Sequence, residues 1–383
     1  MGGPRATVLQ VLPRLESGGV ERGTVEIARG LVEAGWGAVV AAERGRLAQP
    51  VEQAGARYVE LPLATKNPLH IVQNARRLER VIREHGVDLV HARSRAPAWS
   101  AEMAAKRAGV PFVTTFHAVY SGATNPLKHR YNAVMARGSR VIAISDFVAE
   151  HARSAYGVEP QRLRTIYRAV DLEAFDRTRL APERLARLAQ AWHLPHERRI
   201  IMLPGRVMRL KGHLELLRAV KRLNRDDLVV VFVGPSDPGD AYRRQVELFA
   251  RTAGLADQVI FAGQCDDMPA ALAWADVVAV PSIERAEGFG RVSIEAQAMG
   301  VPVVVHAIGG LPETLMPAAT GWLVQPGDID ELADALNLAL DLPGNVRARA
   351  AERARAFVTE HFSLERMVRQ TLDVYREVLP VSA

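Results

Sequence analysis

A chain of 383 residues exceeds what one hydrophobic core usually organises, so two domains are expected. With 48% apolar and 24% charged residues, and no run near the roughly 18 apolar residues of a membrane span, it reads as a soluble globular protein. Net charge is +6, which leaves an anionic partner open, while the single cysteine, Cys265, excludes an internal disulfide and fits a reducing cytosol. The start, Met1-Gly2-Gly3-Pro4-Arg5-Ala6, lacks an apolar signal region, and Ala6 breaks the myristoylation pattern. No His/Cys cluster has zinc-site spacing.

Thr7 to Leu12 reads as a first strand, followed by a Gly18-Gly19 loop and a helical pattern from Glu21 to Ala34. Glycines between a strand and a helix let the backbone approach a ligand, although a plain turn fits equally well. The dinucleotide fingerprint Gly-x-Gly-x-x-Gly is absent. Strand signals then recur at Gly37 to Ala42, Tyr58 to Leu61, Asp88 to His91, Pro111 to Phe116 and Val141 to Ile144. Helical patterns fall between them at Pro68 to Glu84, Pro97 to Ala108 and Lys128 to Arg137, and Asp146 to Tyr156 follows with Ser145 as N-cap. Such alternation makes a parallel doubly wound sheet. His117 closes a strand at the sheet's C-terminal edge, a position open to structural or catalytic use.

The positive charge is concentrated early. Residues 1 to 190 hold 28 Lys and Arg against 18 Asp and Glu, whereas residues 191 to 383 hold 21 against 25. Arg76, Arg80 and Arg83 share one helical face, and Lys128 and Arg130 add charge on a later helix. This is either a solvated surface or the footprint of an anionic partner such as a membrane surface or a phosphorylated lipid.

A polar helical connector between Phe175 and Arg199, rich in Arg and Leu, precedes a second alternation. Ile200 to Leu203 reads as a strand, and Arg206 and Lys211 flank a turn ahead of a helix from Leu214 to Leu223. Two cations at a helix start suit a diphosphate. Further strands are expected at Leu228 to Val233, Val259 to Ala262, Val277 to Val280, Val303 to Val305 and Gly321 to Val324. Helices are expected at Val292 to Met299, Ile329 to Leu340, Val346 to His361 and Ser363 to Leu379. Between Val280 and Val292 stands Glu287-Gly288-Phe289-Gly290, a loop opening at a strand's C-terminal end, where such folds bind ligands. Backbone N–H groups of Gly288, Phe289 and Gly290 would face an anion there, aided by the helix dipole. Glu287 and Glu295 would repel phosphate and accept hydrogen bonds from hydroxyls instead. A ligand with both phosphates and hydroxyls is a nucleotide sugar.

Glu287-x7-Glu295 with its Gly-Phe-Gly core resembles the signature of retaining glycosyltransferase family 4, and three further elements agree in order. These are Thr115-Phe116-His117-Ala118, similar to Thr-x-His-Gly, and Ile166-Tyr167-Arg168-Ala169-Val170-Asp171, similar to Ile-Pro-Asn-Gly-Val-Asp. The last is Gly205-Arg206-x4-Lys211-Gly212. Ala118, Arg168 and Ala169 depart from the family's usual Gly, Asn and Gly. The stretches Glu16 to Thr24 and His91 to Ser100 resemble bacterial enzymes that mannosylate the lipopolysaccharide core.

The resemblance implies an α/β chain with the GT-B architecture, two Rossmann-like doubly wound domains facing a cleft. Residues 1–175 would form the acceptor-side domain, 176–199 a linker and 200–362 the nucleotide-sugar domain. A final helix, 363–383, would pack back on the first. The implied reaction moves a hexose, mannose by best expectation, from a GDP- or UDP-sugar to a lipid-linked or other glycan acceptor, with no cofactor or divalent metal. Arg206, Lys211 and the helix after Gly290 would hold the diphosphate, Glu295 the ribose and Glu287 a sugar hydroxyl. His117 would orient the sugar, and Gly18-Gly19 would lie over phosphate and acceptor. Nucleic acid is not an expected partner. A peripheral place on the inner face of the plasma membrane agrees with the basic first half. A nucleotide-sugar epimerase and a non-catalytic sugar-nucleotide-binding protein are the other readings.

Overall fold

The computed structural model describes residues 6–16, 18–120, 125–195, 197–284 and 287–380. Residues 1–5 of the N-terminal reading, Ser17 of the Gly-Gly loop, and Arg285 and Ala286 of the central motif lie outside the described residues. The chain forms two compact units: 1–168 together with 364–383, and 169–363.

In the first unit the elements run β1 (Thr7–Arg14), α1 (Gly19–Glu33), β2 (Gly37–Glu43), α2 (Ala48–Gln53), β3 (Arg57–Glu60), α3 (Pro68–Glu84) and β4 (Leu89–Ala92). Then come α4 (Arg95–Ala108), β5 (Phe112–Phe116), α5 (Pro126–Asn132), β6 (Arg140–Ala143), α6 (Asp146–Tyr156) and β7 (Leu163–Thr165). The strands form one parallel sheet in the order β3-β2-β1-β4-β5-β6-β7. Order reverses between β1 and β4, which makes that edge the unit's topological switch point. Val8, Leu9, Val11 and Leu12 are fully buried, as expected for a parallel strand covered on both faces. Ser145 caps α6, its Oγ accepting from Val148 N–H at 3.1 Å.

The second unit comprises α7 (Pro182–Trp192), β8 (Arg199–Pro204), α8 (His213–Leu223), β9 (Leu228–Val233), α9 (Ala241–Thr252), β10 (Val259–Gly263), α10 (Met268–Ala273) and β11 (Val277–Val280). It continues with α11 (Arg291–Ala298), β12 (Val303–His306), β13 (Gly321–Val324), α12 (Ile329–Leu340) and α13 (Gly344–Phe362). Its parallel sheet has the order β10-β9-β8-β11-β12-β13, with the reversal between β8 and β11. Ile201, Leu217, Phe232, Val277 and Leu336 pack into its core. The final helix, α14 (Leu364–Arg376), belongs to the first unit. Tyr375 is fully buried there, with its hydroxyl 2.7 Å from His91 Nδ1.

Several boundaries differ from those read in the sequence. The first unit ends at Arg168 and not at 175, because Val170 N–H donates to Phe362 O at 3.0 Å and Arg355 donates to Phe175 O at 2.9 Å. Both bonds tie this segment to α13. The expected connector 176–199 is helical as read, but its helix α7 is part of the second unit, packing on α10 through an Arg184–Asp267 ion pair of 2.6 Å and a Trp274 Nε1 to Leu185 O bond of 3.1 Å. The helix expected from Lys128 to Arg137 stops at Asn132 and continues as a 3-10 turn, Ala133–Ala136. Strand β7, only three residues with a polar sequence, carries too little periodicity to read. Among the described residues no helix is long and apolar enough to cross a membrane.

Candidate active site

The second unit's switch point joins the loop after β8 to the loop after β11. Gly212, at φ 75°, cannot carry a side chain, because a Cβ would collide with the carbonyl of Pro281. Ile283 N–H donates to Leu210 O at 3.0 Å, stitching the two loops further. Close approach brings Lys211 Nζ to 2.7 Å from Glu287 Oε1, and Ser282 Oγ donates to the same oxygen. The loop after β12 contributes Gly310, whose N–H donates to Glu287 O at 2.9 Å. Glu287 is thereby fixed at both its carbonyl and its carboxylate.

Arg206 is exposed on the first of these loops, and Lys211 is half-buried. The side chain of Phe289 is core, not lining, because its ring packs edge-on against Phe362 at 5.5 Å. Gly290, the N-cap of α11, approaches Leu311 so closely that a Cβ would strike its Cδ2 at 2.5 Å. Among the described residues no side chain caps the N-terminus of α11. Its residues Ser293 to Ala298 are all buried, and Glu295, 4% exposed, pairs with Arg291 at 3.4 Å. Arg206, Lys211, Glu287 and the Gly288–Gly290 loop therefore gather at one switch point, with Glu295 on the helix that opens there. A separate cavity of about 240 Å³, lined by Val301, Pro302, Trp322 and Val346, includes none of them.

In the first unit, Gly18 is the N-cap of α1 and Gly19 its first residue, and His117 directly follows β5. His117 Nε2 is enclosed without a hydrogen-bond partner. Burial first, then the positive charges of Arg93 and Arg168, hold the imidazole well below its usual range, so the ring is neutral at physiological pH. Arg93 and Arg168 are each 4% exposed. Arg93 donates to Gln10 Oε1 at 3.1 Å, Gln10 donates to Thr24 O at 3.2 Å, and Arg168 donates to Gly19 O. Arg93, after β4, thus reaches α1 through Gln10 of β1, and Arg168, after β7, reaches its first turn directly.

The basic surface residues lie on other elements of the first unit. Arg76, Arg80 and Arg83 are exposed on α3, with Arg83 bonded to Glu79 at 2.7 Å. Lys128 and Arg130 are exposed on α5. Helix α4 lies between, its Ser100 Oγ donating to Ile71 O at 3.0 Å and its Trp99 Nε1 to Tyr131 O at 3.1 Å.

Sequence reading missed Ser282, Arg93 and Arg168 as site residues. Ser282 was detectable only as a polar residue directly after a strand-ending proline. Arg93 directly follows a strand, as His117 does, so the same rule of place pointed to it. Arg168 was visible only as a departure from the resembled element.

Comparison with known proteins agrees with this geometry. Residues 17–174 match the model of Glycosyltransferase Family 4, and residues 186–357 match that of Glycosyl transferases group 1. D-inositol 3-phosphate glycosyltransferase 1 of Catenulispora acidiphila is 33% identical over 316 residues, spanning 76% of this chain and 72% of the relative. The crystal structure of a glycosyltransferase from Rickettsia africae superposes with a TM-score of 0.90 at 34% identity, covering 98% of this chain and 99% of that one. Anabaena Alr3699/HepE, solved in complex with UDP-glucose, shares the fold with a TM-score of 0.83 at 23% identity over 97% and 99% of the two chains. Two family models in the expected order, a relative spanning most of its length and two parallel α/β units have one meaning: this chain is a GT-B glycosyltransferase enzyme of the family 4 type.

Proposed function

We propose that the chain transfers a hexose from a nucleotide sugar to an anionic, phosphate-bearing acceptor, with retention at the anomeric carbon. The observation that carries this reading is the convergence of Arg206, Lys211, Glu287 and the Gly288–Gly290 loop at the second unit's switch point. Arg206 and Lys211 bind the diphosphate and stabilise the charge that develops as it departs, the electrostatic role that a divalent metal plays elsewhere. Glu295 binds the ribose, and Glu287 accepts from a sugar hydroxyl. His117, kept neutral, orients the sugar by hydrogen bonding and holds no charge to repel a cationic transition state.

For the acceptor, the basic first half favours a lipid-linked glycan, of which a mannose acceptor in the lipopolysaccharide core is the sharpest form. Leu69 and Leu127 support a membrane surface, being 73% and 79% exposed at the starts of α3 and α5 among the basic residues. A second reading comes from the relative named a D-inositol 3-phosphate glycosyltransferase, which favours a small phosphorylated polyol. Both are phosphorylated. Mass spectrometry of products from GDP-mannose or UDP-glucose, offered a phosphorylated core glycolipid or an inositol phosphate, separates them. The absence of product from either donor with either acceptor would count against the proposal.

A further inference from the structure

We infer that Arg168 is a positioning residue for transfer, interlocked with Gly23 so as to set the Gly18–Gly19 loop. Arg168 follows β7 and is buried, and its guanidinium donates to Gly19 O at the first turn of α1. A Cβ built at Gly23 would meet both terminal nitrogens of that guanidinium, with Cζ only 2.6 Å away. Glu26, one turn further along α1, lies 4.0 Å from Arg168 Nη2. Gly23 is a mid-helix glycine with no positive φ, so its backbone does not require glycine. What requires it is the arginine occupying the space of its side chain.

The loop has a held side and an open side. Holding the Gly19 carbonyl fixes the peptide plane that leads into α1. Among the described residues no atom lies within 4 Å of a Cβ built at Gly19, and Gly19 is exposed. Arg168 therefore braces the loop from beneath and leaves its outer face for substrate. The division between the two units falls directly after Arg168. This role rests on the proposed place of the Gly18–Gly19 loop over phosphate and acceptor.

The test has one arm that needs no transfer assay. In the wild-type background Gly23→Ala should lower Tm, because the methyl group evicts a buried guanidinium. In an Arg168→Asn background the same change should raise Tm, since alanine is the better helix former once the space is free. A Gly23→Ala effect of the same sign in both backgrounds would overturn the interlock. The functional arm compares Arg168→Asn, Arg168→Lys and Gly19→Ala by kcat, KM and calorimetric affinity for GDP and UDP. Arg168→Asn should lower kcat/KM for transfer roughly tenfold or more with nucleotide affinity unchanged, and Arg168→Lys should recover part of it. Gly19→Ala should keep the wild-type Tm and still lose transfer. Full turnover per folded molecule in Arg168→Asn would overturn the positioning role. If wild-type protein transfers no sugar to any phosphorylated acceptor, the reading of function fails while the Tm reversal still decides the interlock.

Discussion

Lys211 Nζ and Glu287 Oε1 lie 2.7 Å apart although 76 residues separate them in sequence. The cation assigned to phosphate is thus held by the carboxylate assigned to a sugar hydroxyl. Ser282 holds that carboxylate and the Gly310 amide holds the Glu287 carbonyl, so the lysine is aimed before any ligand arrives. Lys211→Ala should weaken GDP or UDP binding by about 1.5–3 kcal/mol, roughly tenfold to over a hundredfold, with the fold intact. Glu287→Gln removes the competing anion, so nucleotide affinity should hold or rise while transfer falls. Titration calorimetry on the two variants decides this, and equal losses of nucleotide affinity would mean that the pair binds the diphosphate as one unit.

His117 separates binding from turnover. His117→Ala should reduce kcat far more than nucleotide affinity, since the loops proposed to bind the nucleotide lie in the second unit. A lower Tm with turnover per folded molecule preserved would make this histidine structural.

Acid stability follows from buried neutral imidazoles. His91 and His117 are held well below the usual range by burial and neighbouring arginines, and burial pulls His213 down to about 4. Their folded pKa values are depressed, so near pH 7 neither state binds the proton and folding has no cost from them. Below about 6.5 the unfolded chain takes up protons that the folded chain refuses, and stability falls until the folded pKa is reached. Melting temperature should therefore decline as pH drops from about 6.5 toward about 4, and His213→Phe should flatten part of that slope. An unchanged slope in that variant would show that His213 is not among the groups responsible.

Most of the fold was legible because parallel strands buried on both faces read as unbroken apolar runs, such as Leu228–Val233 and Val277–Val280. Helices with a strong amphipathic stripe, Pro68–Glu84 and Ile329–Leu340, were equally plain. The division after Arg168 was not, because it depends on hydrogen bonds from 170 and 175 to residues of α13 far along the chain. In the site, residue types named Arg206, Lys211 and Glu287, but not that Lys211 and Glu287 bind each other. That contact depends on Gly212 lying against Pro281, a relation between loops that local sequence does not encode.

The basic face makes a claim about membranes. Arg76 and Arg80 are exposed on α3, whereas Arg83 is shared with Glu79. Each cation near an anionic surface contributes on the order of 1 kcal/mol, screened over roughly 8–10 Å. Changing Arg76, Arg80 and Arg83 together to Gln should weaken binding to anionic vesicles by a few kcal/mol at most, with donor hydrolysis hardly changed. Leu127→Ser should weaken the part of binding that survives high salt. Sedimentation with phosphatidylserine vesicles at two salt concentrations checks both, and no wild-type binding at low salt would favour a soluble acceptor.

Hydrogen exchange with and without a nucleotide sugar tests the central claim most directly, because it locates the donor without presuming the acceptor. Saturating GDP- or UDP-sugar should slow exchange in the loop holding Arg206 and Lys211 and in the segment from Glu287 to Glu295. Amides of α13 around Val346, beside the separate cavity, should exchange as before. Protection confined to that cavity, or to the first unit alone, would contradict the placement of the donor at the second unit's switch point.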